Sequence, residues 1–357
     1  MTLRRIWNLP ILAGFCLLLT ADPGVIISPP AGTLPLHLAE TGLGDAAAVN
    51  IFSANRSYSP LYPLWSDGAA KRRWIYLPPG QDIDARQADD WIFPVGTKLW
   101  KEFSFGKKVE TRYLEKVARG EWRFAAYAWN AGENDAILVP ERGAPNCYPI
   151  AEGVRHDIPG VADCKTCHEG QGRDIVLGFN ALQLSPERDP EAPNAEAWAS
   201  GMITFTSLVE QKRLDHLNKN LARRAPAIAT ALATARARAS LGYLSANCGG
   251  CHNPNNPQAS AGMYLKAEID SRNGAVRMAL STFIGSKSKF QIPGLATGQS
   301  YRVLPGHSSQ SAIVYRMESR NPYRQMPPLG TKIADRKAVE LIRSWIDNDL
   351  GATPATP

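Results

Sequence analysis

The chain has 357 residues, 44% hydrophobic and 20% charged, with a formal charge of +7. That length leaves room for two or three domains and a sizeable core, and the ordinary composition excludes a disordered chain. Nucleic acid is not an expected partner, because the basic residues are scattered apart from short runs such as Lys71-Arg72-Arg73.

Residues 1–21 read as an export signal. Arg4 and Arg5 make a positive start, 11–19 is a short apolar run, and Thr20-Ala21 offers a cleavage edge. This predicts a periplasmic or otherwise exported protein. Leu19 suits the third position before a cut poorly, so an uncleaved anchor is the alternative, and membrane contact is expected only through it. Pro10 disfavours a long spanning helix. Cys16 follows Phe15, where a lipoprotein site needs a small residue. No later stretch approaches the ~18 to 20 apolar residues of a second span.

From about 50 to 139 the sequence is rich in aromatic and β-branched residues broken by turn signals such as Pro78-Pro79-Gly80. Strands are predicted near 74–77, 109–114 and 122–129, in a β-rich amino-terminal domain resembling a small sandwich, with its Trp and Tyr residues in the core.

Six cysteines are present, and four of them make two copies of one pattern, Cys164-Lys165-Thr166-Cys167-His168 and Cys248-Gly249-Gly250-Cys251-His252. Covalent haem attachment needs this arrangement. Two thiols add across the porphyrin's vinyl groups and the next residue offers an imidazole to the iron, so both bonds and one ligand come from a single turn of chain. A zinc site of Cys164, Cys167, Cys248 and Cys251 would use the same pairwise spacing, but zinc needs no histidine at the same place in both pairs. A disulfide or redox dithiol leaves the histidines unexplained as well. Two covalently bound haem c groups are the predicted cofactors, with His168 and His252 as iron ligands. Their propionates would bring about four negative charges against the basic surplus. Cys147 reads as a small buried apolar residue.

For the second iron the predicted opposite ligand is Met326, in Gln325-Met326-Pro327-Pro328-Leu329-Gly330, where two prolines stiffen a loop able to present the sulfur. A thioether favours reduced iron and raises the potential. The first iron has three open alternatives: Met202, His216, or no protein ligand. His216 falls where Leu208, Leu214, Leu217 and Leu221 suggest a helix. His156, eight residues before Cys164, would need a tight loop to reach the far side. His307, in Pro305-Gly306-His307-Ser308, reads as a turn residue.

A helix over 228–247, with Pro226 in its first turn, is expected to deliver the chain into Cys248. Asp335 can cap a second helix over 336–348, whose apolar face is Val339, Ile342, Trp345 and Ile346. These helices are expected to pack together, Gly242 and Ala246 permitting close approach. The segment 292–306 is a long ordered loop. Helix, motif, loop, Met, helix is the order of a small cytochrome c domain. The expected fold class is therefore α+β multidomain: the β-rich domain over 22–149, then two mainly α-helical cytochrome c-like haem domains over 150–233 and 234–351, and a tail over 352–357.

The chain resembles a family of bacterial diheme c-type cytochromes. The likeness runs over nearly all of the mature chain, through Tyr62-Pro63-Leu64-Trp65-Ser66-Asp67-Gly68, Phe93-Pro94-Val95-Gly96-Thr97-Lys98, Leu177-Gly178-Phe179-Asn180-Ala181-Leu182-Gln183-Leu184-Ser185, Leu241-Gly242-Tyr243-Leu244, the block 326–331, and Leu341-Ile342 with Trp345-Ile346. The resemblance implies haem carriage and single-electron transfer with redox partner proteins, without a catalytic residue set. The alternative is a diheme peroxidase-like enzyme with an open first haem, for which Glu169 and Arg173 are the neighbouring charges. A third is a sensor whose β-rich domain recognises a ligand or partner.

Overall fold

Strands dominate the first half of the chain because Val, Ile, Phe, Tyr and Trp are concentrated there, in runs such as Trp74-Ile75-Tyr76 that fill a pleated surface buried on both sides. In the computed structural model, which describes residues 33–170, 172–228, 234–256, 262–267, 269 and 280–351, they are β1 (Arg56–Ser57), β2 (Ala70–Tyr76), β3 (Ile83–Asp84), β4 (Lys98–Ser104), β5 (Lys108–Ala118), β6 (Glu121–Trp129) and β7 (Ala136–Leu138). The expected export signal over 1–21 and the tail over 352–357 lie outside the described residues. Six of these strands form one antiparallel sheet in the order β1-β2-β4-β5-β6-β7. Gly120, at φ +74°, supplies the left-handed residue that lets β5 turn back into β6.

On one side of the sheet the Trp100 indole N–H donates to Thr41 Oγ1 at 2.8 Å and the Tyr127 hydroxyl to the Pro35 carbonyl at 3.0 Å. On the other, Ile75 and Leu99 join a core with Phe93, Phe179, Leu184, Ile203, Phe205 and Leu208. Beyond the sheet come a hairpin of β8 (Ala144–Ala151) and β9 (Val154–Ile158), then α1 (Val161–His168), α2 (Phe205–Glu210), and β10 (Leu214–Asp215), which pairs in parallel with β3. Among the described residues α3 (Ala235–Asn247), α4 (Ala312–Glu318) and α5 (Arg336–Ser344) follow, the last continuing into a π-helical turn over Trp345–Leu350. Asp335 caps α5 through the Ala338 N–H at 3.1 Å, and Val339, Ile342, Trp345 and Ile346 are buried.

The expected fold class is overturned. The protein is a β-rich single domain with about 21% helix, not a β-rich domain followed by two mainly α-helical cytochrome domains. Residues from Pro35 onward form one compact unit. The physical reason lies in the cores. Phe179, Ile203, Phe205 and Leu208, assigned to a first haem domain, bury themselves against sheet residues Ile75 and Leu99. Leu61 and Tyr62, assigned to the amino-terminal domain, sit among Leu241, Leu244, Val339 and Ile342.

Three local expectations are corrected as well. Around His216 there is no helix: α2 ends at Glu210, β10 follows, and His216 adopts φ +57°. The helix leading to Cys248 starts at Ala235, with Thr234 accepting from the Ala237 N–H at 3.0 Å, and Pro226 is not part of it. Gly242 makes room for the Tyr62 ring rather than for a partner helix, since a Cβ there would lie 2.3 Å from ring carbons.

Candidate functional site

Cys164, Cys167 and His168 occupy α1, which packs on β6 so that the His168 ring meets Phe124 edge-on at 5.7 Å. His168 Nδ1 lies 2.8 Å from the Ile175 carbonyl. Since a carbonyl only accepts, Nδ1 carries the proton and Nε2 keeps its lone pair. Burial holds the imidazole neutral, pushing its pKa down to about 4 against the opposing Ile175 bond, with Lys101 and Arg112 adding to the fall.

The neighbouring Asp174 holds that carbonyl in place. Its Oδ2 accepts from the Phe93 N–H at 3.0 Å and from Lys116 Nζ at 2.6 Å. Its Oδ1 accepts from the Ile175 N–H at 3.0 Å and from the Trp122 indole N–H. Both side chains of the Lys116–Asp174 pair are 3% exposed, so a fully buried ion pair ties the segment after His168 to the sheet.

α3 delivers the second segment. The Cys251 and His252 N–H groups donate to the Cys248 carbonyl at 3.1 and 2.8 Å, and Asn253 Nδ2 donates to the Gly249 and Gly250 carbonyls at 2.9 and 2.8 Å. His252 Nδ1 is buried beside the Met263 backbone. Burial lowers the His252 pKa, Met263 opposes, and Arg316 and Arg302 lower it further. Met326 is half-buried in its loop, and its N–H donates to the Arg316 carbonyl at 2.9 Å. Arg316 is thus a common neighbour of His252 and Met326.

Burial raises all four thiol pKa values, Cys167 to about 11 and Cys248 to about 12, so each sulfur is a neutral thiol at pH 7.

The loop before β2 braces the second segment from both sides. The Trp65 N–H donates to Asn247 Oδ1 at 2.7 Å, directly before Cys248, while the Trp65 indole donates to the Ile333 carbonyl at 2.9 Å. Asp67 Oδ1 accepts from the Lys332 and Ile333 N–H groups at 2.7 and 2.8 Å, just past the Met326 loop.

The two Cys-x-x-Cys-His segments lie side by side. A Cβ on Gly170 would stand 3.4 Å from Asn256 Cα, and Asn256 Nδ2 donates to the Gly250 carbonyl at 3.3 Å. Cys251 is among the groups acting on Cys167.

The other candidates are placed elsewhere. His216 is exposed and paired with Asp215 at 3.0 Å. Met202 follows the Gly201 turn, its N–H donating to the Ala199 carbonyl at 3.2 Å. His156 is buried with Nε2 2.9 Å from Glu110 Oε1. His307 is a turn residue before the 3-10 segment Ser308–Gln310. Cys147 is half-buried against the cluster of Ala126, Val139 and Ile158. Glu169 is exposed near Lys165, and Arg173 pairs with Asp84 at 3.1 Å.

Missed from the sequence were Asp174, the Ile175 carbonyl, Lys101, Arg112 and the Glu110–His156 pair. Lys71-Arg72-Arg73 reads as three consecutive cations, but only strand pairing reveals what stands opposite them. Among the described residues no group of three or more His, Cys, Asp or Glu side chains is arranged to hold a metal ion, so the four thiols do not converge as a zinc site requires. No helix among them is long and apolar enough to cross a membrane. No protein-family model, no curated protein and no solved structure matches the chain.

Proposed function

We propose that this protein is an exported diheme c-type cytochrome that passes single electrons between redox partners. Cys164 and Cys167 would hold one haem with His168 as its ligand, and Cys248 and Cys251 the other with His252 and Met326. The residues fit such a group: two cysteines outside any disulfide precede each imidazole, and at His168 the second nitrogen is pre-oriented by a backbone carbonyl. Bound there, a c-type haem supplies a one-electron iron couple.

The chain's own part is to orient and to shield. Asp174 and Ile175 set the His168 ring, Trp65 and Asp67 brace the flanks of the second site, and Phe124 limits water beside the first. The observation that carries this reading is the adjacency of the two segments through Gly170 and Asn256, since one-electron exchange needs centres near each other and no acid or base. Intact mass of the matured protein tests it. The expected mass includes two haems with none of the four thiols alkylatable, and bare thiols at both segments would sink the reading.

One observation favours a peroxidase-like enzyme as the second reading. Glu110, His156 and Arg112 form a buried acid–base group near Cys164. A peroxide assay with a reduced donor separates the two, and an inert diheme sample removes the enzyme.

A further inference from the structure

Beside the first segment the sheet carries an arrangement that a folded protein does not tolerate without reason. Register places Arg73 of β2 opposite Lys101 of β4, and Lys101 opposite Arg112 of β5. Directly opposed like charges destabilise a sheet, and here three stand in one row. Lys71, two residues before Arg73, points to the same face.

The acids in contact with this group are two. Glu196 receives both Arg73 nitrogens, one at 3.0 Å, and lies 3.9 Å from Lys71. Glu110 pairs with Arg112 at 2.7 Å. Asp335 acts on Lys71 from further off but is engaged by the Ala338 N–H and Asn194. Among the described residues Lys101 has no carboxylate within ion-pair reach, and its ammonium faces the Phe103 ring at 4.8 Å. Four basic side chains meet two contacting carboxylates, and Lys101 is the member of the row with neither of them in ion-pair reach. Lys101 is half-buried by area, and desolvation is the first cause of its strongly lowered pKa.

The row also has a direction. Arg112 is the member that feels the Cys164 and Cys167 sulfurs, and Lys101 acts on His168. Arg73 and Lys71 lie one strand further. With strands ~4.8 Å apart, the row runs about 10 Å away from the thiols, comparable with the width of a porphyrin.

We propose that Lys101, together with Lys71 and Arg73, forms the carboxylate-binding edge of the first site and takes the two propionates of the porphyrin held at Cys164 and Cys167. This rests on the haem reading above. Two propionates would supply acids to a row in which basic side chains outnumber their carboxylate partners.

The test uses the matured full-length protein with Lys101→Gln, Lys101→Arg and, as an exposed charge control, Lys219→Gln. Intact mass first establishes that haem is attached at Cys164 and Cys167; its absence would sink the haem reading itself. With haem in place, Lys101→Gln is expected to lower the first haem's midpoint potential, because loss of a nearby cation disfavours the reduced state. It should also shift the propionate bending bands in resonance Raman spectra. Lys101→Arg should restore both, and Lys219→Gln should change neither. Unchanged potential and bands in Lys101→Gln would overturn the assignment. So would a switch to high-spin iron, which would make Lys101 an axial ligand, or a phosphate-dependent potential lost in Lys101→Gln with the Raman bands unmoved, which would make the row a site for a free anion.

Discussion

Single side chains decide how each imidazole is presented. Asp174 is a buried carboxylate with four donors around it, and its neighbour's carbonyl sets the His168 tautomer. Asp174→Asn leaves Lys116 as an uncompensated buried cation and is expected to lose about 3–5 kcal/mol in a denaturant titration. Glu110 predicts a pH response. Burial alone would raise its pKa, but Arg112 and His156 outweigh this and hold it below the ordinary 4.5. A carboxyl lowered in the folded state stabilises fully above its unfolded value, and that stability is lost as pH falls through the lowered one. Unfolding free energy should therefore drop below about pH 4.5, and Glu110→Gln should flatten that acid limb, as urea titrations from pH 6 downward would show. On the diheme reading, Met326→His should leave the second haem attached and lower its midpoint potential in spectroelectrochemistry, since imidazole favours reduced iron less than a thioether does.

Helices and loops matter here through what they hold. α3 accepts the Tyr62 ring at Gly242, and the Tyr62 hydroxyl donates to Asp189 at 2.8 Å while Arg238 of α3 reaches the same carboxylate at 3.1 Å. A methyl group at Gly242 meets the ring at 2.3 Å, too close for any rotamer to relieve. Gly242→Ala is expected to destabilise by about 1–3 kcal/mol in thermal melts, as overpacked cores do. The strands over β2, β5 and β6 and the cap of α5 were legible, because each depends on neighbours a few residues away. The helix expected at His216 was not. Leu208, Leu214, Leu217 and Leu221 have helical spacing, but Leu208 and Leu221 are buried in the core shared with the sheet, and Leu214 pairs with Ile83 of β3.

At the scale of the whole molecule, the sheet and the haem-motif regions share their cores. A chain beginning at residue 140 would expose Phe179, Phe205 and Leu208 by removing Ile75, Phe93 and Leu99. It is expected not to fold, with rapid proteolysis and loss of cooperative melting as the measurement. The amino-terminal residues thereby acquire a role that composition did not suggest, since Trp65 and Asp67 join the end of α3 to the segment after Met326. The two Cys-x-x-Cys-His patterns, the strand-rich first half and the capped terminal helix were readable from residue order alone, because motif spacing and local propensity act over a handful of positions. Which segments share a core, that Gly170 and Asn256 just past the two motifs approach each other, and that Arg73, Lys101 and Arg112 align in one row were decided only by tertiary structure. Burial of apolar surface and strand register join residues tens or hundreds of positions apart, and no short-range pattern encodes that pairing.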